Sequence, residues 1–392
     1  MRRRLLIALA VLLVIVLGGS FVIRRMAVVR AEKALTEPWP LGAGPITAVA
    51  SRYPNQEMSP SARRLTQLAQ YFRIPLAPKR QGDPAIAPPL KRDLEPYVRA
   101  QIARASFAID PPPPLLASMF ATPQFAAIRA ELLRGEPIVW PVRYEPSGPV
   151  PNLTGHLALQ RLLIASALDR ARRGDPGAWE DLRASRELNR SLWPRPEVIT
   201  HLIALQTTRI AVAAARKLPP PAPPWFEEML REEMPPRFVR SFQAEIGMSQ
   251  TRFAADVGKG LREPLVRSGS MNALVLARGI AEDVTSPVCA VEAASLDERA
   301  AGRLLPWEQI SAISLPSLGA TWQRMARYRA EREATRIALA VRAGLPPPLR
   351  SDCSDRKWIV DGGVVRLNAP LPKQARDVEI PLEVPLHAAA EE

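Results

Sequence analysis

Histidine and cysteine are the residues most often found in catalytic and metal sites, and both are rare in this chain. The three histidines are His156, His201 and His387. None has a second histidine or a cysteine at the spacing that binds zinc from one helix or loop. His201 lies in an apolar helical stretch, where a packed or capping histidine is more common than a catalytic one. We therefore predict no metal site and no cofactor.

Motifs for nucleophilic or phosphate chemistry are incomplete. Residues 354–357 spell Ser-x-x-Lys, but they lie in a loop-like stretch and lack the Ser-Asp-Asn and Lys-Thr-Gly motifs that accompany the catalytic version. Residues 258–260 (Gly-Lys-Gly) lack the upstream glycine of a phosphate-binding loop. Four glutamates form a cluster that is more typical of a solvated, arginine-paired helix face than of an acid/base pair: Glu227, Glu228, Glu232 and Glu233. We predict no catalytic residues and do not expect an enzyme.

Two cysteines, Cys289 and Cys353, lie in loop-like sequence. In an oxidising compartment they can form one disulfide, which would close a long loop and stabilise the fold by roughly 4 kcal/mol in the chain-entropy description. Two unbonded thiols are the alternative, and the sequence is compatible with both.

The composition is that of a globular, helical chain with many prolines. Aromatic residues are only 6% and long alternating runs of β-branched residues are absent, which argues against an all-β body. The 42 prolines cluster between apolar stretches, as expected of breaks between helices. The net charge of +14 comes from arginines scattered among acidic residues, which indicates a solvated arginine-rich surface, with attraction to anionic lipid headgroups as the alternative. Nucleic acid is not an expected partner, because no basic stripe interleaved with aromatic residues occurs.

Three arginines at positions 2–4 precede an apolar run of residues 5–23, from Leu5 to Ile23. As a helix this run spans roughly 28 Å, close to the hydrocarbon thickness of a bilayer. A cleaved secretory signal is the alternative, but the run is longer than an ordinary signal core and meets further arginines directly, and the nearest small-x-small site, Gly18-Gly19-Ser20, lies inside the apolar run. We predict an uncleaved membrane anchor, with the lipid bilayer as its partner.

Basic residues on both sides of the anchor nearly cancel the positive-inside bias. Long domains that follow an anchor translocate largely regardless of charge, and a short basic head usually stays inside. We therefore predict a single-pass protein of the bacterial inner membrane, with its N-terminus in the cytoplasm and its body outside the cytoplasm.

The body is predicted to be mainly α-helical. Its clearest unit is a helical hairpin over residues 154–192, with Gly174-Asp175-Pro176 at the turn and a third helix over 196–217. Such hairpins are the building blocks of helical-repeat proteins. The predicted divisions of the chain are an anchor with a juxtamembrane helix (1–36), a linker (37–58), a helical domain (59–345) and a C-terminal tail (346–392).

The last part of the chain changes character. A long helix over 317–343 carries small residues at helical spacing, which suits close packing against another helix. In the tail, residues 358–360 and 364–367 flank Asp361-Gly362-Gly363, a pattern that predicts a β-hairpin. Residues 377–384 predict a further strand.

Three stretches resemble a set of uncharacterised bacterial proteins with an N-terminal membrane anchor, a helical body with a Gly-Asp turn and a small β-rich tail. The stretches are LALQRLLIASALDRARRGDPGAWEDLRASRELNRSL, EVITHLIALQTTRIAVAAARKL and LPSLGATWQRMARYRAEREATRIALAVRAGLPPPL. In such proteins the tail often follows a Tyr-Pro and Asp-Pro-Phe pattern similar to pseudopilin ends, of which this chain keeps LPPPL and the hairpin. The resemblance implies a layout and brings no activity, cofactor or site residue with it.

These features favour a membrane-tethered helical scaffold or adaptor of the cell envelope that binds a protein or an envelope polymer through a helical groove. Two alternatives stay open: an envelope hydrolase with an active site assembled from residues distant in sequence, and a component of a secretion or pilus machine. A pocket that brings His156 or His201 together with carboxylates would favour the hydrolase. An open apolar or arginine-lined groove would favour binding.

Overall fold

A computed structural model describes residues 36–78, 86–145, 147–256, 318–371 and 379–386, with scattered positions at 11–33 and 278–289. This part of the chain is mainly α-helical and has one three-stranded antiparallel sheet near its C-terminal end. A 3-10 turn at Ile46–Ala48 precedes the α-helices, which are α1 (Val49–Arg52), α2 (Pro60–Gln70), α3 (Pro88–Ile102), α4 (Pro114–Phe120), α5 (Pro123–Leu133), α6 (Leu153–Arg172), α7 (Ala178–Arg190), α8 (Val198–Ala215), α9 (Pro224–Arg231), α10 (Met234–Asp256) and α11 (Leu318–Arg342). The strands are β1 (Trp358–Asp361), β2 (Val364–Leu367) and β3 (Val384–Pro385).

Polar caps and prolines set where the helices begin. Ser59 accepts a hydrogen bond from the N–H of Ala62 and is followed by Pro60, and this pair begins α2. Thr122 caps α5 in the same way. Proline stands in the first turn of α2, α3, α4, α5 and α9, where a missing N–H removes no bond within the helix. The clustered prolines therefore start helices as well as separating them.

Helices α6, α7 and α8 form the centre of the body and confirm the predicted hairpin and third helix. At the turn, the carboxylate of Asp175 accepts from the N–H of Gly177 at 2.8 Å. Helix α6 contacts α3, α4, α7 and α8, so its side chains are buried on nearly every face. A helix that is apolar all round is expected in such an interior position.

A buried ion pair joins α8 to α11. Arg209 and Glu331 are both 0% exposed, and the guanidinium donates to both carboxylate oxygens, from Nε to Oε2 at 2.8 Å and from Nη2 to Oε1 at 2.7 Å. Arg327, one turn earlier on α11, reaches the same carboxylate at 3.2 Å. Arg216 of α8 donates to the Thr335 hydroxyl at 2.9 Å and to the Glu331 carbonyl at 3.1 Å. Ionic and hydrogen-bonded contacts thus fix the two helices against each other.

The C-terminal tail folds as the predicted hairpin with one added strand. Strands β1 and β2 pair antiparallel with Trp358 opposite Leu367, and β3 pairs with the other edge of β2. The strand predicted over 377–384 is observed only at its end, as β3. Residues 379–383 form no strand, and the two residues before them lie outside the described part of the chain.

Contacts to α11 hold this tail. The buried carboxylate of Glu333 accepts hydrogen bonds from the Ser351 hydroxyl at 2.8 Å and from Nε1 of Trp358 at 2.5 Å. Beside them, Cys289 and Cys353 are buried and joined by a disulfide, with their Cα atoms 5.4 Å apart. The disulfide, the strands and one face of α11 form a second, smaller hydrophobic core.

Part of the segment predicted as a linker packs into the main core. Trp39, Ile46 and Val49 are buried, and the 3-10 turn and α1 contact α10. The side chain of Gln243 on α10 donates to the Gly44 carbonyl at 2.8 Å. The proline and glycine residues of this segment indicated a linker, and they interrupt the helical pattern that Trp39, Ile46 and Val49 would otherwise form.

Among the described residues, one helix is long and apolar enough to cross a membrane, and it is α8, of which 72% is buried inside the protein. The predicted anchor, including Leu5 and Ile23, falls largely outside the described residues. Those of its positions that are described, such as residues 11–15, are helical and carry exposed apolar side chains.

Removing one partner of the buried ion pair should destabilise the body strongly. We predict that Arg209→Met lowers the free energy of unfolding by about 3–5 kcal/mol, because the Glu331 carboxylate stays buried with less compensation. The double variant Arg209→Met/Glu331→Leu should recover more than half of that loss. Urea denaturation followed by circular dichroism measures both effects.

The matched control is the exposed pair of Arg366 and Asp361 in the hairpin. Arg366→Gln should change the free energy of unfolding by less than about 1 kcal/mol. Equal losses at the buried and the exposed pair, or no recovery in the double variant, would show that Arg209 and Glu331 do not act as a pair.

Candidate binding cleft

A cleft of about 660 Å³ runs along the first halves of α3 and α6. This volume lies within the range of ligand-binding pockets. Its walls are mostly apolar and come from the two helices and the segments before them: Pro75, Ile86, Leu90, Leu94, Val150, Pro151, Leu153, Leu157 and Ala158. Its polar groups are Lys91, Glu95, Asn152, Thr154 and Arg161. We refer to it as the α3–α6 cleft.

The wall formed by α3 begins at a pair of prolines, Pro88 and Pro89, which open the helix. Leu90 and Leu94 follow one turn apart, so they share one face of the helix. Both are buried, at 2% and 3% exposure, and form the floor of the cleft. The flanking Lys91 is exposed at its edge.

The wall formed by α6 is held by a close backbone crossing. Asn152 caps the helix by accepting from the N–H of Gly155 at 3.0 Å, and its own N–H donates to the Leu76 carbonyl at 3.0 Å. A Cβ atom on residue 155 would lie 1.6 Å from the carbonyl oxygen of Pro75. Only glycine lets the first turn of α6 approach Pro75 this closely, and Pro75 itself lines the cleft.

The charged edge of the cleft carries two cations and one carboxylate. Arg161 on α6 pairs with Glu95 on α3, with Nη1 and Oε2 3.1 Å apart. Burial lowers the pKa of Arg161, and the Glu95 carboxylate opposes this change. Lys91 makes no ion pair within the described part of the chain and leaves a positive charge in excess at the edge. The sequence does not indicate that these residues share a cleft, because α3 and α6 are far apart in the chain.

Neither described histidine lines this cleft. His156 packs edge-on against Trp140, with ring centroids 4.7 Å apart, and Nε2 of His201 lies 2.8 Å from the Arg195 carbonyl oxygen. Burial lowers the pKa of His156 to about 3 and that of His201 to about 4, so both rings are neutral at pH 7. His387 lies outside the described residues. These are packed core histidines, as the apolar sequence around His201 predicted.

The Ser-x-x-Lys stretch lies in the turn before β1. Ser354 and Lys357 are exposed. The N–H of Ser354 donates to the Pro287 carbonyl at 3.2 Å, and the N–H of Lys357 donates to Oδ1 of Asn368 at 2.9 Å. The backbone of this stretch therefore braces the hairpin. The Gly-Lys-Gly stretch at 258–260 lies outside the described residues.

Two of the four glutamates of the acidic cluster, Glu232 and Glu233 just after α9, pair with arginines, whereas Glu227 and Glu228 within α9 make no ion pair among the described residues. Glu232 lies 2.9 Å from Arg186 and 3.1 Å from Arg237, and Glu233 lies 3.9 Å from Arg332. Across the part of the chain that the structure describes, no group of three or more histidine, cysteine, aspartate and glutamate side chains is placed to hold a metal ion.

Comparison of the chain with protein-family models, with curated proteins and with solved structures gives no match. The function proposed below therefore rests on geometry and chemistry.

The buried histidines predict a pH dependence of stability. In the folded protein their pKa values lie near 3 and 4, whereas in the unfolded chain both titrate near 6.5. The unfolded state thus binds more protons below about pH 6.5, and the free energy of unfolding falls as the pH drops from there toward 4. We predict a smaller slope between pH 6.5 and 5 for His201→Gln, which keeps an amide donor for the Arg195 carbonyl.

Urea denaturation at closely spaced pH values measures this slope. The window lies above the range in which most carboxylates titrate, so the histidines dominate it. A slope that is the same in the wild type and in His201→Gln would contradict the assignment of this dependence to His201.

Proposed function

We propose that the protein is a membrane-tethered helical scaffold or adaptor of the bacterial cell envelope, and that it binds an apolar segment of a partner protein in the α3–α6 cleft. The observation that carries this proposal is the cleft itself, an open apolar groove with a charged edge and with the histidines packed elsewhere. Burial of apolar side chains is the main source of affinity in such grooves.

Charge complementarity supports a particular kind of segment. Lys91 and Arg161 face a single carboxylate, Glu95, so an acidic residue or a terminal carboxylate on the partner gains more than a basic one. An envelope polysaccharide fits less well, because nine apolar residues line the cleft and few hydrogen-bonding groups face it. The preferred partner is a protein segment with apolar side chains next to an acidic group.

The tether is the apolar run at 5–23. Its described positions are helical with exposed apolar side chains, such as Leu12 at 60% and Val14 at 68% exposure, which is unfavourable in water and favourable in lipid. Trp39 is already buried in the body. The body therefore follows the tether closely and stays near the bilayer. Its proposed side, away from the cytoplasm, rests on the charge argument alone.

Two other functions are weaker on these observations. A hydrolase needs a nucleophile beside a base, and neither described histidine lines the α3–α6 cleft. A role in a secretion or pilus machine rests on the layout of tether and tail, and no contact in the described residues adds to it.

Site-specific photo-cross-linking in membranes tests the cleft. A photoreactive residue in place of Lys91 should form a discrete cross-linked protein adduct. The same residue in place of Ala100, which is exposed on α3 outside the cleft, should not. Leu157→Arg places a charge on the apolar wall and should abolish the adduct at position 91, whereas Leu345→Arg, at an exposed leucine beyond α11, should leave it. Adducts of equal yield at positions 91 and 100 would reject the cleft as the binding site.

The tether is tested by fractionation. The full chain should stay in the membrane pellet after alkaline carbonate extraction, and a chain that lacks residues 1–36 should be released. Protease added to spheroplasts should digest the body of the full chain. Release of the full chain by carbonate would disprove the anchor, and complete protection from protease would place the body in the cytoplasm.

A further inference from the structure

A second cleft lies beside the C-terminal half of α6, between that helix and the segment that carries α4 and α5. Its volume is about 500 Å³. One wall is apolar and includes Pro111, Phe120 and Phe125. The facing wall, from the end of α6, is polar and carries Arg170, Arg172 and Arg173, and Arg129 of α5 lines the cleft as a fourth arginine. We refer to it as the arginine cleft.

A buried carboxylate fixes two of these arginines. Asp181 on α7 is 0% exposed and accepts from the Ser166 hydroxyl at 2.7 Å and from Nη1 of Arg129 at 3.1 Å. Nε of Arg170 lies 3.7 Å from it. Arg170 also donates to the Gly177 carbonyl at 2.8 Å, and a Cβ on residue 177 would lie 2.2 Å from its Nη1. The guanidinium groups are thus positioned before any ligand arrives, which lowers the entropic cost of binding.

The arginines have capacity left for a ligand. Four guanidinium groups face three carboxylates, Asp169, Asp175 and Asp181, which leaves one positive charge in excess. Arg129 bonds to Asp181 through Nη1 alone, so Nε and Nη2 have no protein partner within the described residues. Its side chain is 23% exposed where it lines the cleft. A planar guanidinium with two unused nitrogens matches the oxygens of a carboxylate or phosphate.

The apolar wall adds a second requirement. Beside the prolines that precede α4, the accessible apolar lining comes from the half-buried Phe120 and the exposed Ala117 and Ala121, and the buried Phe125 packs against Phe120 with ring centroids 5.6 Å apart. Ion pairs that only brace the end of α6 would need no apolar surface opposite them. An anion alone would leave that surface in water, whereas an anion attached to an apolar or aromatic group would cover it.

We propose that the arginine cleft binds a carboxylate or phosphate carried on an apolar or aromatic body, with Arg129 as the residue that contacts the anion. This inference is independent of the α3–α6 cleft and of its partner. The anion could belong to a soluble molecule or to a lipid headgroup, and the experiment separates the two.

Calorimetry on the full chain in phosphatidylcholine nanodiscs tests the site. The soluble probes are phenyl phosphate, benzoate and inorganic phosphate. The lipid headgroup is tested with nanodiscs that contain phosphatidylglycerol. We expect saturable binding of phenyl phosphate or benzoate, with inorganic phosphate at least about tenfold weaker. Arg129→Gln should weaken binding of the aromatic anion by about tenfold or more, and Arg134→Gln, at an exposed arginine where α5 ends, should leave it unchanged.

A second variant covers the case in which Arg129→Gln fails to fold, since Asp181 loses a partner there. Ala121→Glu adds a carboxylate to the exposed lining of the cleft and should abolish binding. Ala130→Glu, exposed on α5 outside the cleft, is its charge-matched control. Absence of saturable binding, equal binding in Ala121→Glu and Ala130→Glu, or binding of the lipid headgroup that ignores both variants would each overturn the proposal. Inorganic phosphate bound as tightly as phenyl phosphate would overturn the role of the apolar wall.

Discussion

The fully buried pair of Arg209 and Glu331 is the contact on which the arrangement of the body depends. A charge in an apolar interior is stable only when an opposite charge and hydrogen bonds meet it with good geometry, so the pair admits a single position of α8 against α11. Helix α11 in turn presents a different face to the tail, where Ala330, Ala334 and Ile337 belong to the smaller core. Helix α11 therefore contributes side chains to two hydrophobic cores, and the ion pair fixes its position between them.

Other arginine–carboxylate ion pairs join helices in the same way among the described residues. Buried carboxylates meet arginines from other helices, as Glu131 of α5 meets Arg64 of α2 and as Asp181 meets Arg129. The arginines of these pairs thus brace helices against one another. Two clefts lie along the central α6, one mainly apolar and one with an arginine-rich wall.

Local features of the fold could be predicted from the sequence, and features that join distant segments could not. The α6–α7 hairpin follows from periodic leucines and a Gly-Asp-Pro turn, and the β-hairpin follows from Asp361-Gly362-Gly363 between apolar residues. Leu90 and Leu94 looked like any buried helix face, and nothing within α3 indicates that Leu157 completes a cleft with them. The sequence is compatible with a disulfide between the two cysteines or with two free thiols, because it does not show how far apart they lie in the folded protein. Of the candidate site, only the wall formed by α6 follows from the predicted helical hairpin.

The burial of Trp39, Ile46 and Val49 has a consequence for the order in which the protein is made. The Gly44 carbonyl and its hydrogen-bond donor Gln243 are 199 residues apart in the sequence. The contacts of this segment with α10 therefore form only after more than half of the chain has been synthesised. Contacts of such long range form late, so these side chains stay in water until α10 has been synthesised. This segment is thus among the last parts of the body to be completed. Until then its aromatic and aliphatic side chains are exposed on the nascent chain, where apolar surface favours aggregation.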